Sequence, residues 1–238
     1  MDRSLECFIH DTSEKEAAGR FERETDRILR IDLDGGVWLK PGAAVAHRGD
    51  ISFERLRTLD AASITGAALR ELSPLVRACG RGRVHCANHG RHVQIVRLAG
   101  EALAVSWLHL LAFEESLEFE LSLVGNGLTL ATGGLVVVKL SGHGAVAFGA
   151  HGAPVTLAVT PGQPVCADPN ATVAWLGVSP ALQTDLTWRS VFAHGGQEPI
   201  QMRFDGVGFV VVQAFEDQDR LTLGRKSVES LLSAVAAL

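Results

Sequence analysis

Apolar residues in this chain come in short runs that glycine interrupts. Ile28, Arg30 and Asp32 alternate with Leu29, Ile31 and Leu33, the period of a strand with one face buried. Asp34-Gly35-Gly36 is read as the turn that ends it. Further along, glycine pairs sit between apolar runs at Gly80-Arg81-Gly82, Gly142-His143-Gly144 and Gly206-Val207-Gly208, and are read as bends or tight hairpins. Asn88-His89-Gly90 and Ala150-His151-Gly152 mark a second kind of turn, and Pro41-Gly42 and Pro161-Gly162 a third. Strands of about five residues between such turns predict an all-β fold. Leu121 to Val138 carries Gly125, Gly127, Gly133 and Gly134, and suits a hairpin rather than a membrane-spanning helix. Helix signals are scarce until Lys226 to Leu238. Asp11 to Arg27 is dense in charge, Phe53 to Arg70 reads as a short helix or long loop, and Val228, Leu231, Leu232 and Val235 form one apolar stripe.

The pattern repeats. Arg77, Gly80, Gly82, Val84, His89, Gly90, Gly100 and Phe113 return 62 residues later as Lys139, Gly142, Gly144, Val146, His151, Gly152, Gly162 and Trp175. A third copy is split. Its first half is Arg203 to Val210, 64 residues beyond the second copy. Its second half is Gly35 to Phe53, with Leu39-Lys40-Pro41-Gly42 set against Val159-Thr160-Pro161-Gly162. A split unit predicts that the two chain ends meet, with Ile28 to Leu33 or Val37 to Leu39 beside Phe209 to Phe215. The three units would then close on themselves without free edges. The expected organisation is a charged N-terminal arm or helix over residues 1–27, one repeat-built β domain over 28–223, and an amphipathic C-terminal helix over 224–238.

Composition narrows the setting. The 238 residues are 47% apolar, enough for a sizeable core, and the net charge of −5 argues against a dedicated nucleic-acid binder. Cys7, Cys79, Cys86 and Cys166 form no C-x-x-C pair, and the N-terminus lacks a signal-peptide core, so a reduced cytoplasmic setting is expected.

Three stretches carry a family resemblance: Leu140-x-Gly142-x-Gly144-x-Val146, Val159-x-Pro161-Gly162-x-x-Val165, and the apolar run Ala171 to Trp175. They resemble the altered-inheritance-of-mitochondria family over roughly Ile28 to Phe215, best from Val136 onward. The resemblance implies a threefold pseudo-symmetric β body, a sandwich or barrel similar to the tryptophan-RNA-binding attenuator protein. It implies no catalytic residue. Two departures are local: Gly42 to Phe53 is two residues shorter than Gly100 to Phe113, and Ala99-Gly100 stands where proline-glycine is usual.

The candidate chemistry is sparse. Cys79, His85, Cys86, His89 and His92 crowd one stretch, but alternation puts His85 and Cys86 on opposite faces, Cys86 falls at a core position, and His89 recurs in a turn as His151. No metal or other cofactor is expected. There is no H-x-H, P-loop, G-x-S-x-G or H-E-x-x-H, and Gly142-x-Gly144-x-x-Ala147 opens a strand where a dinucleotide fingerprint opens a helix. Arg70 to Arg97 is arginine-rich but lacks aromatics to stack bases. Arg77, Lys139 and Arg203 hold equivalent places in the three units, as strand-end charges or, around one axis, as an anion site. The C-terminal stripe would dock on the chain's own β body or on a neighbour. The reading is a non-enzymatic assembly or interaction module with a protein partner or a second copy, hence a homo-oligomer. The alternatives are a binder of a small anionic ligand or RNA, and a metal-dependent enzyme.

Overall fold

The computed structural model describes residues 4–16, 19–55, 75–124, 135–184 and 200–214. Among the described residues one short helix precedes fourteen strands. Helix α1 (Leu5–Thr12) starts at Ser4, whose hydroxyl accepts the Cys7 amide at 3.2 Å, an N-cap. The strands are β1 (Phe21–Thr25), β2 (Ile28–Leu39), β3 (Ala44–Arg55), β4 (Val76–Cys86), β5 (His92–Ser106), β6 (Leu110–Glu114), β7 (Leu117–Val124), β8 (Leu135–Ala150), β9 (Val155–Val159), β10 (Val165–Ala167), β11 (Thr172–Leu176), β12 (Pro180–Thr184), β13 (Ile200–Phe204) and β14 (Gly208–Val212). All their pairings are antiparallel. The chain is mostly β, as its pattern predicts. Leu121 to Val138 contributes the paired strands β7 and β8, the expected hairpin arms.

The repeat is visible in the register. The strand bearing the glycine bend, β4, β8 or β13 with β14, lies at the centre of each unit. On one side it holds β2, β5 or β10. There Trp38, Ala104 and Cys166 face Arg77, Lys139 and Arg203. On its other side it holds β3, β6 or β11, and the same irregularity recurs. Ala44 and Ala46 face Cys86 and His85, Leu110 and Ala112 face Phe148 and Ala147, and Thr172 and Ala174 face Val212 and Val211. The adjoining turns match bond for bond. Ala43, His109 and Ala171 donate to the carbonyls of Lys40, Ser106 and Asp168, at 3.0, 2.9 and 3.1 Å. The carbonyls of the same three residues accept from Ala87, Gly149 and Gln213, at 2.9, 2.7 and 2.9 Å.

Several expectations are corrected by the structure. The stretch Gly35 to Phe53 has counterparts in the other units, but it pairs with β4 and not with Arg203 to Val210, and it is out of phase with the proline-glycine match. The turn 40–43 corresponds to 106–109 and 168–171, so Pro41-Gly42 is not the counterpart of Pro161-Gly162. The body is also not a closed barrel. The main sheet runs β3-β4-β2-β6-β8-β5-β11-β14-β9, with β1 and β7 beside β2 and β8, and β10-β13-β12 form a second sheet. Strand β2 lies beside β4, β6 and β1, while β14 lies between β11 and β9, so the expected meeting of the chain ends does not occur. Residues 21–25, assigned to the charged arm, are strand β1, with Glu22 opposite Arg30. Asp34-Gly35-Gly36 does not end the strand: β2 continues through it, with Gly35 opposite Gly80. The helix expected over 224–238 lies outside the described residues, as does most of Phe53 to Arg70.

The core follows the units. Leu29, Ile31, Val37, Val84 and Cys86 pack in one cluster, Phe113, Leu140, Val146 and Phe148 in a second, and Trp175, Met202, Phe204 and Val210 in a third. The glycine bends let neighbouring backbones approach. At Gly80, with φ +130°, an added Cβ would lie 2.0 Å from the Asp50 carbonyl oxygen. At the equivalent Gly142, with φ +109°, the nearest atom would be 3.5 Å away. Both alanine substitutions meet the positive-φ penalty of about 1–3 kcal/mol, but only Gly80→Ala also forces β3 off β4. Gly80→Ala should therefore melt well below Gly142→Ala in thermal scans. Equal melting points would contradict the close crossing.

Candidate functional site

The three equivalent cations are each engaged by a carboxylate. Arg77 bonds Glu115, and this contact raises its already high pKa. Lys139 lies 3.9 Å from Glu120, the residue opposite it on β7. Arg203 lies 3.2 Å from Asp205. The three sit on β4, β8 and β13, none of which are neighbours in a sheet. With a carboxylate at each, their charges are offset in place.

The cysteine-histidine stretch spreads out. Cys86 is buried in the first core cluster, where desolvation pushes its thiol up to about 12. Burial also raises Cys79, while Arg77 beside it pulls the other way. His85 points away from Cys86, 3.6 Å from Glu14. His89 takes a left-handed φ of 48° in its turn, before Gly90. Among the described residues no three His, Cys, Asp or Glu side chains gather with metal-ligand geometry.

Two polar clusters that motif reading missed are built instead. The first pins the N-terminal segment. Arg30, on β2, is fully buried, within 3.2 Å of Glu22 and of Glu24, and also donates to the Lys15 carbonyl. Its Nε lies 3.7 Å from Asp32, which accepts from Arg83 at 2.6 Å. Glu14 then accepts from Arg83 at 2.8 Å and lies 2.8 Å from Arg48. Partial burial would raise the Glu14 carboxyl. The hydrogen bond from Arg83 and the charges of Arg48, Arg83 and His85 outweigh it and hold the group below the usual carboxylate range. The sequence signal was present: Glu22 and Glu24 alternate along β1 as Arg30 and Asp32 do along β2, and a hairpin brings such pairs together.

A depressed carboxyl stabilises the fold above the usual carboxylate range, and that contribution fades as pH falls through its lowered value. The melting-point gap between the native chain and Glu14→Gln should thus be present at neutral pH and close as pH falls through the lowered value of the Glu14 carboxyl. A gap that persists or widens in acid would contradict this role.

The second cluster lies at the turns. The Leu108 carbonyl accepts from Lys40 Nζ at 2.9 Å, Asn88 Nδ2 at 2.9 Å and Arg91 at 2.6 Å. Arg91 also reaches His151 at 3.2 Å, and the His151 amide donates to Gln213 at 2.9 Å. Residues from all three units thus meet in one hydrogen-bonded group. Its parts are far apart in sequence, so no local motif marks it.

The ends of the main sheet are different in kind. Strand β3 is exposed along nearly its whole length, with Val45 and Phe53 among the exposed large apolar residues. Strand β9 exposes Val155 and Leu157, and β14 exposes Phe209. A shallow recess nearby is lined by Asp32, Arg48, Gly49, Gly82 and Arg83. Its charges already belong to the Glu14 network. The apolar stripe of Val228, Leu231, Leu232 and Val235 lies outside the described residues.

Comparison with known proteins agrees with this architecture. The crystal structure of protein SPYM3_0169 from Streptococcus pyogenes superposes with a TM-score of 0.65 at 17% identity, covering 82% of this chain and 92% of that one, a similarity of fold alone. No curated protein matches the chain. No helix among the described residues is long and apolar enough to cross a membrane. The family described as mitochondrial biogenesis AIM24 matches residues 20–215, the span that holds all the described strands, and the chain belongs to that family.

Proposed function

We propose that this protein works by association, as a non-enzymatic assembly module. The observation that carries this reading is strand β3. It is exposed on nearly every residue, while its counterparts β6 and β11 are buried at four consecutive positions each. A strand whose outer edge has no partner among the described residues, and whose apolar side chains are exposed, is a template for another chain. The polar groups support the same reading from the other side. Arg77, Lys139 and Arg203 are spent on Glu115, Glu120 and Asp205, and Arg30 on Glu22 and Glu24. They act as fasteners of the sheet rather than as a reacting set. The C-terminal stripe at Val228, Leu231, Leu232 and Val235 offers a second apolar contact for the same purpose.

Light scattering on the purified full chain, over a range of concentrations, tests this. A mass that is a multiple of 25.4 kDa, or a complex with a captured protein partner, is expected. A lone monomer at every concentration, with no partner recovered, would overturn it.

A further inference from the structure

The register that joins the units identifies what belongs on β3. Units meet twice within the chain. At the first junction β2 pairs β6, with Val37, Trp38 and Leu39 facing Glu114, Phe113 and Ala112. At the second β5 pairs β11, with Leu103, Ala104 and Val105 facing Leu176, Trp175 and Ala174. These are the same junction. Val37, Leu103 and Val165 are equivalent through their partners Ala78, Leu140 and Phe204. His47, Phe113 and Trp175 are equivalent through Val84, Val146 and Val210.

A third junction of this register would set Val165, Cys166 and Ala167 of β10 against Arg48, His47 and Ala46 of β3. Both halves exist in the chain. Among the described residues β10 pairs β13 alone and β3 pairs β4 alone. Burial marks the same gap. Val45 is 59% exposed, whereas its counterparts Leu111 and Val173 are fully buried. His47 is exposed where Phe113 and Trp175 are buried, and Cys166 is exposed.

We propose that β3 of one copy pairs with β10 of a second copy, in the register His47 opposite Cys166, so that the missing junction is made between molecules. This rests on the association reading and names its partner as the chain itself. The two edges differ, so the contact is head-to-tail: each copy offers β3 to one neighbour and β10 to another. Val45 then enters a covered position like those of Leu111 and Val173. The exposed Val155 and Leu157 on β9, just before β10, flank the contact.

Cross-linking tests the pairing. In full-length chains carrying Cys7→Ser and Cys79→Ser, Cys86 is buried and unreactive. One such chain also carries His47→Cys and Cys166→Ser; the other keeps His47 and Cys166. Mixed and treated with a short bismaleimide, they should give a covalent dimer holding one of each. Val45→Lys, a change at a site already open to water, should remove that product and reduce the scattering mass to that of a single chain. A single chain bearing His47→Cys together with native Cys166 reports closure within the molecule. If the link forms only there, or nowhere, the proposal is overturned. An oligomer without the link overturns this pairing and leaves the association reading standing; a monomer without it overturns both.

Discussion

Arg30→Ala is expected to lower the melting temperature by roughly 10 °C, from a loss of about 3–5 kcal/mol. Arg30 is 1% exposed and stands between Glu22 and Glu24, with Asp32 beyond its Nε. The cost lies less in the lost attraction than in what is left behind. Glu24 would remain buried without its countercharge, and a buried unpaired carboxylate is expensive. Two comparisons isolate the cause. Arg81→Ala removes a pair to Asp34 in which both side chains are largely exposed, and should change stability by under about 0.5 kcal/mol. Combining Arg30→Met with Glu24→Gln and Glu22→Gln should recover part of the loss, because no charge is stranded. If Arg30→Ala melts like Arg81→Ala, the buried network does not hold the segment.

The second large effect separates three positions that are equivalent by register. Phe113→Ala should cost about 3–5 kcal/mol, since its fully buried ring packs edge-on against Phe119 in the second cluster. Trp175→Ala should cost a similar amount, leaving a cavity against Phe204, whose ring centre lies 5.7 Å away. His47→Ala, at the third position, should change the stability of the separate chain by under about 0.5 kcal/mol. Denaturant melts of the three variants at low concentration make the comparison. A large loss at His47 under those conditions would mean that β3 is already covered within the chain.

How much of this was legible depends on what each signal measures. The constant offset between Arg77–Phe113 and Lys139–Trp175 reports strands and bends, and both copies pair as it implies, down to the shared irregularity before Ala112 and Ala174. The phase of the third copy was not legible from Pro41-Gly42. Proline-glycine is a turn signal wherever a turn occurs, while register is fixed by the strand across the way. Here that strand is β4, whose Gly80 faces Gly35 and Ile51. Closure failed as an expectation for a related reason. A split repeat says that a third unit exists, not that its outer edges meet. The arm was misread because Glu22, Arg23 and Glu24 look solvated in sequence, yet Arg30 draws two of those charges into the structure. The turn cluster around the Leu108 carbonyl draws on Lys40, Asn88 and Arg91, a convergence that only the fold creates.

The central claim is that the sheet is left open within one chain and completed by another. Hydrogen exchange of those β3 amides within residues 46–48 that point away from β4, followed as chain concentration rises, tests it most directly. The account predicts fast exchange when dilute and increasing protection as copies associate, with β6 and β11 slow throughout. Exchange in β3 that is equally fast, or equally slow, at every concentration would contradict it.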